Sequence, residues 1–242
     1  MRRSRGVSGP FPLSTICRMP RADDLRALLR SVALAGRDIA TAPSRWRARD
    51  WALLCAFLVA TVIAYREKWP MQSLLQGTGG SVAHALAELA DVPGSDLAMV
   101  SYGVAAFVVG RCAKKRALVD AAIALGAGGA WCWALTKAGQ LVLAESRPIE
   151  GGAMHWMALG GHGVSGHAAA AALLFWTARD ALETNVRGPL RRAAEFGLLA
   201  WAILVCWSRV HLGEHFVWNV MLGFAVGTFT GRRRNPVTRT ES

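Results

Sequence analysis

Six apolar stretches, each nearly free of charge and separated by basic clusters, constrain this 242-residue chain more than any other feature. They lie at about 51–65, 97–112, 117–144, 167–182, 195–207 and 216–230. A helix needs roughly 17–25 mostly apolar residues to cross a bilayer, because its backbone polar groups must be satisfied within the segment. The six stretches reach that length once flanking residues are counted, and the third is long enough to project beyond the lipid. Trp51, Trp69, Trp131, Trp156, Trp176, Trp207 and Trp218 fall at or near the expected ends, where an interfacial aromatic belt sits. With 53% hydrophobic and only 18% charged residues, the composition excludes a disordered chain and argues against an ordinary soluble domain. A net charge of +12 would suit nucleic acid, but the basic residues flank apolar runs. The expected partner is therefore a membrane and not nucleic acid.

Lys and Arg resist translocation and so set orientation. With the N-terminus inside, 23 of the 28 fall on cytoplasmic segments. The expectation is an all-α membrane protein with six transmembrane helices, multi-pass in a bacterial-type inner (cytoplasmic) membrane, with both termini cytoplasmic. Its expected parts are a basic tail over 1–50, a six-helix domain over 51–231 and a basic tail over 232–242. In the first tail Leu25, Leu28, Leu29 and Val32 recur at i, i+3, i+4 and i+7, the stripe of a short amphipathic helix or, equally, part of a solvated tail. Residues 70–96 read as an outer-side amphipathic hairpin.

Five of the six histidines (His155, His162, His167, His211 and His215) lie between residues 155 and 215. In this topology all five face outward, on the loops after the third and fifth spans, beside Arg147 and Arg209. Ionisable groups at membrane depth are costly, and those that persist usually line a working cavity. Two outer loops meeting there would form a cationic, imidazole-rich pocket suited to a phosphate. Three groupings supply it. Arg147-Pro148 follows the third span, with Lys137 inside that span. Gly163-Val164-Ser165-Gly166-His167 opens the fourth helix, where free N–H groups and the helix dipole favour an anion. Ser208-Arg209, His215 and Asn219 precede and open the sixth, with His215 and Asn219 one turn apart on one face. His211 and His215 also have the i, i+4 spacing of metal ligands, but that reading leaves the Ser-Arg and Ser-Gly-His groups unexplained.

These groupings resemble the signature of the type-2 phosphatidic-acid phosphatase superfamily: K-x6-RP, then PSGH, then SR-x5-H-x3-D. Arg147-Pro148 is similar to the end of the first motif. Ser165-Gly166-His167 is similar to the second, with Val164 in place of its Pro. Ser208, Arg209 and His215 match the third at its spacing. The resemblance implies a PAP2-like six-helix bundle acting as a membrane lipid-phosphate phosphatase on a phosphomonoester or diphosphate. It implies no metal and no other cofactor. It also implies roles: His215 as nucleophile through a phosphohistidine, His167 as acid and then base, and Asn219 as the orienting residue. Arg147, Arg209, Ser165, Gly166 and Lys137 would hold the phosphate, on the outer, periplasmic side.

Two positions depart from the pattern. Gln140 stands where the family has Lys, with Lys137 one turn earlier on the same face. Lys137 either reaches the phosphate by snorkelling or pairs with Glu145 or Asp120, leaving Gln140 to donate a neutral hydrogen bond. Asn219 stands where the family has Asp. It brings no charge to the imidazole, so Asn219→Asp is expected from sequence to speed the reaction. Lipid phosphotransfer and a weakened lipid-phosphate binding or transport role remain the alternatives.

Overall fold

A computed structural model describes residues 22–76 and 79–232; the remainder of the two expected tails (1–21 and 233–242) lies outside them. The described chain runs α1 (Ala22–Thr41), α2 (Ala48–Arg66), α3 (Lys68–Gln76), α4 (Gly80–Asp91), α5 (Asp96–Cys112) and α6 (Arg116–Val142). A two-stranded ribbon, β1 (Leu143–Glu145) and β2 (Met154–Trp156), leads into α7 (Gly166–Asn185), α8 (Gly188–His211) and α9 (Val217–Gly231). Each of the six apolar stretches falls on one helix: α2, α5, α6, α7, α8 or α9.

Three of these, α2, α6 and α8, are long and apolar enough to cross a membrane, and α4 with α5 forms a fourth candidate bent by 53°. The apolar faces of α2 and α5 point away from the protein: Leu58, Val62, Val100 and Val104 are all exposed. An apolar exterior on that scale is stable in lipid and not in water. The chain is a membrane protein built almost wholly of helices. The chain is mostly helical, as expected, with the addition of β1 and β2, which pair antiparallel with Ala144 opposite His155. Their ribbon returns the chain across the end of α6 and presents Arg147 in its connecting turn.

The centre is the contact of α7 with α9. Ala168 to Ala172 on α7 are all buried, and small side chains let helix backbones approach closely. On α9, Gly223 and Gly227 lie against the Ser165 and Ala169 carbonyls of α7, where any Cβ would collide. Gly227→Ala should therefore destabilise the protein by about 1–3 kcal/mol, the usual cost of overpacking; thermal unfolding in detergent reads it, and an unchanged transition would contradict the packing described here. The seam also serves the site, since it fixes the first turn of α7 against the first turn of α9.

The 70–96 segment folds as two helices, α3 and α4, as its amphipathic pattern predicts. The α3 side chain of Gln72 is buried and donates to the Val210 carbonyl of α8 at 2.7 Å. The amphipathic stripe near residue 25 lies in α1. This helix docks on α6, whose Trp131 indole donates to the Val32 carbonyl at 2.8 Å.

Candidate active site

The Gly213 turn after α8 takes φ +71°, a conformation glycine adopts without strain. It lets the Glu214 and His215 N–H groups both donate to the Arg209 carbonyl at 3.1 Å. That turn drives His215 inward, where only 5% of it is exposed. Its Nδ1 lies 3.0 Å from the His162 carbonyl oxygen. A carbonyl only accepts, so this contact assigns the proton to Nδ1 and leaves the Nε2 lone pair available. Burial, and then the charge of Arg209, hold the imidazole well below the usual histidine pKa, while the His162 carbonyl bond pulls the other way. His215 thus has one ring nitrogen fixed by a carbonyl, and its burial favours the neutral form.

Around it stand the expected cations. Glu214 Oε2 forms an ion pair with Arg147, 3.1 Å from its Nε, and accepts from Arg209 Nη2 at 3.3 Å. One carboxylate therefore ties the ribbon turn to the end of α8. Arg209 is nearly buried, and its Nη1 donates to Asp91 Oδ1. The same Asp91 oxygen lies 3.6 Å from His167 Nε2. Ser165 caps α7, its hydroxyl oxygen accepting from the Ala168 N–H at 3.4 Å, which places Gly166 and His167 in the first helical turn. His162, beside His215 with ring centres 6.2 Å apart, is held below its usual pKa by burial and by Arg147.

Asn219 departs from its expected part. Its Oδ1 accepts from the Phe216 N–H at 2.8 Å, capping α9. Its Nδ2 donates to the Gly163 carbonyl at 3.0 Å and to Glu145 Oε2 at 3.1 Å. With all three contacts turned away from the imidazole, its oriented partner is the α7–α9 junction, and the His162 carbonyl takes the expected place against His215. Glu145 is fully buried and also accepts from Lys68 Nζ at 2.7 Å. Lys137 differs likewise: it pairs with neither Glu145 nor Asp120 but donates to Gln140 Oε1 at 3.1 Å. Gln140 Nε2 in turn donates to the Val164 carbonyl at 2.8 Å, bracing the loop before α7.

His211 does not join His215. Its Nδ1 contacts the Leu75 carbonyl at 3.0 Å and its ring stacks on Trp207. His155 is exposed on β2. Among the described residues no three His, Cys, Asp or Glu side chains group as metal ligands would. The structure thus brings together Arg147, Arg209, His167 and His215 and adds Asp91, Glu214 and the Lys68–Glu145 pair. Lys68 and Glu145 carried a signal, as charges bordering apolar runs; Asp91 carried none beyond its place at the end of an amphipathic helix.

The sequence model of the PAP2 superfamily matches residues 97–239. The chain belongs to the PAP2 superfamily. PAP2 membership supports phosphatase activity. The fold is also similar to a solved crystal structure, described as the first transmembrane PAP2 type phosphatidylglycerolphosphate phosphatase from Bacillus subtilis. That match has a TM-score of 0.53 and 18% identity over 74% of this chain and 90% of the other. No curated protein matches. The PAP2 match begins at residue 97, so α1 to α4, with Asp91 and Lys68, precede it.

Proposed function

We propose that this protein is a lipid-phosphate phosphatase working at the outer face of a bacterial-type cytoplasmic membrane, with six spans and both termini inside. The observation that carries this reading is His215, buried where the neutral form is favoured, its Nδ1 committed to a carbonyl beside two guanidinium groups. In the reaction, the Nε2 lone pair attacks phosphorus and the bond to the leaving oxygen breaks. His167 delivers its proton to that oxygen. Water then attacks the phosphohistidine, giving its proton back to His167, and the P–N bond breaks to restore His215. Arg147 and Arg209 neutralise the equatorial oxygens as charge grows on them, with Ser165, the Gly166 N–H and Lys137 completing the cradle. Guanidinium groups do the work a metal would otherwise do. The Nδ1–H bond to the His162 carbonyl supports the positive imidazole ring of the intermediate.

Phosphate release from a detergent-dispersed panel of phosphatidic acid, phosphatidylglycerol phosphate, polyprenyl phosphates and diphosphates, and phosphorylated lipid A tests the proposal. Free phosphate from at least one member is expected. A phosphorylated acceptor lipid would instead mean phosphotransfer. Binding without turnover would favour a lipid-phosphate binding protein, a reading that draws on Gln140 and on the carboxylates already paired with both arginines.

Those carboxylates have a kinetic consequence. Substrate phosphate must displace Asp91 from Arg209 and His167. Asp91→Asn is expected to lower KM by about tenfold, equivalent to about 1.4 kcal/mol, with kcat changed far less. A raised KM would show that Asp91 supports the site instead of competing for it.

A further inference from the structure

Lys68 is the first residue of α3, a poor place for a cation, because the dipole of a helix leaves its N-terminus positive. Its partners lie elsewhere in the fold. The side chain is only 14% exposed, and its ammonium donates to Glu145 Oε1 at 2.7 Å and to the Gly152 carbonyl at 2.9 Å. Three aromatic rings border it, with centres at 4.8 Å (Phe216), 5.3 Å (Tyr65) and 6.0 Å (Trp69), within range of cation–π attraction. Replacing a buried ion pair by apolar groups is often neutral or stabilising. What such a pair supplies here is geometry, for both acceptors of Lys68 lead to the candidate site.

The first branch runs through Gly152. Its N–H donates to the Arg147 carbonyl at 3.0 Å and so closes the turn between β1 and β2. A two-stranded ribbon with three residues per strand is marginal without outside support. Lys68 gives that support, together with a 3.4 Å bond from the Ile149 N–H to the Gly213 carbonyl. A Cβ on Gly152 would lie 2.6 Å from Phe216 and 3.0 Å from Trp69. The turn thus rests on the ring of the residue that follows His215. The second branch runs through Glu145. Its other carboxylate oxygen accepts from Asn219 Nδ2 at 3.1 Å. Its backbone carbonyl accepts from the His162 N–H at 2.8 Å, and the His162 carbonyl in turn meets His215 Nδ1.

We propose that Lys68 is a positioning residue, which sets the Arg147 turn against His215 while its own bonds go to Glu145 and Gly152. The effect on catalysis rests on the phosphatase reading, whereas the effect on phosphate binding does not. Loss of Lys68 falls first on Arg147, since the Gly152 bond is the shorter of the two ties on its turn. Lys68 lies ahead of residues 97–239, which the family model matches. The site is therefore fastened by a segment on which the family assignment does not depend.

Lys68→Met alone would leave the Glu145 carboxylate buried and uncompensated, which is strongly destabilising. The test is therefore Lys68→Met/Glu145→Gln in the full-length protein in detergent, where Asn219 still has an oxygen to donate to. This pair is expected to unfold thermally within about 4 °C of wild type. KM for the lipid phosphate that wild type turns over best should rise at least about tenfold, since misplacing a binding group by about 1 Å costs up to about a hundredfold. A merely structural role would shrink the active fraction, lowering kcat and leaving KM unchanged. In the Arg147→Ala background the same pair should move KM by less than about twofold, the non-additivity of residues that act through one another. An unchanged KM, or effects that add in that background, would overturn the inference. Lys68→Arg keeps the charge beside Glu145 but brings a larger planar head among the rings; it should raise KM while staying folded, and serves the same test if the pair does not fold. Inorganic phosphate binding, measured by calorimetry, needs no turnover, and its Kd should rise by about the same factor as KM. Weakened phosphate binding in the variant, with no lipid hydrolysed by wild type, would leave the positioning role standing and remove the phosphatase reading. Lipid hydrolysis with KM and phosphate affinity unchanged in the variant would do the reverse. A wild type that neither hydrolyses lipid phosphates nor binds phosphate would overturn both.

Discussion

His215→Ala should lower phosphate release by on the order of 10⁴-fold or more, the scale seen when a covalent nucleophile is removed, while the protein stays folded. His167 faces Asp91, and the His162 ring stands 6.2 Å from the His215 ring, centre to centre, on the loop before α7. The substitution removes one hydrogen bond to a backbone carbonyl and leaves a small cavity, a stability loss of about 1–3 kcal/mol. Acid sensitivity supplies an independent check. A buried histidine with a depressed pKa is neutral when folded, yet accepts a proton when unfolded once the pH drops below about 6.5. Stability contributed through this group is therefore unchanged above that pH and falls as the medium is acidified toward the folded-state value. His215→Ala should lose that part of the acid dependence. Unaltered turnover by the purified variant would end the mechanism.

Asn219→Asp should damage the protein, the opposite of what the sequence pattern predicts. The Asn219 amide donates to the Glu145 carboxylate and to the Gly163 carbonyl, and both residues 145 and 219 are almost fully buried. An aspartate there would set carboxylate against carboxylate, with Lys68 the nearest compensating charge. Leaving a buried charge uncompensated costs about 3–5 kcal/mol. The expected result is a thermal transition lowered by several degrees and reduced activity. The second-site change Glu145→Gln should restore much of both, because it returns one carboxylate and one amide to the pair in exchanged positions. A double-mutant cycle measures the coupling. If Asn219→Asp proves stable and faster on its own, the assignment of Asn219 to the α7–α9 junction is wrong.

The contrast between these residues shows what a sequence carries. The helices were legible because each apolar run is long enough to declare itself, and the six stretches coincide with α2 and α5 to α9. His215, His167, Arg147 and Arg209 were legible because charged and imidazole groups are rare beside lipid and here recur at fixed spacings. Their partners were not. Asp91 meets Arg209 across 118 residues and Lys68 meets Glu145 across 77, and no local periodicity records such pairs. The tautomer of His215 depends on a backbone carbonyl, which every residue possesses and no motif can mark. The β1–β2 ribbon, three residues on each side, is too short to impose an alternation.

The glycine seam of α7 and α9 has a mechanical consequence. His167 lies in the first turn of α7 and His215 two residues before α9, and Gly223 and Gly227 bring those two backbones into direct contact. Lateral pressure or a change in bilayer thickness acts first on the peripheral helices such as α2 and α5, whose apolar faces point away from the protein. The separation of these two imidazoles is thereby set by backbone against backbone and not by the lipid around the protein.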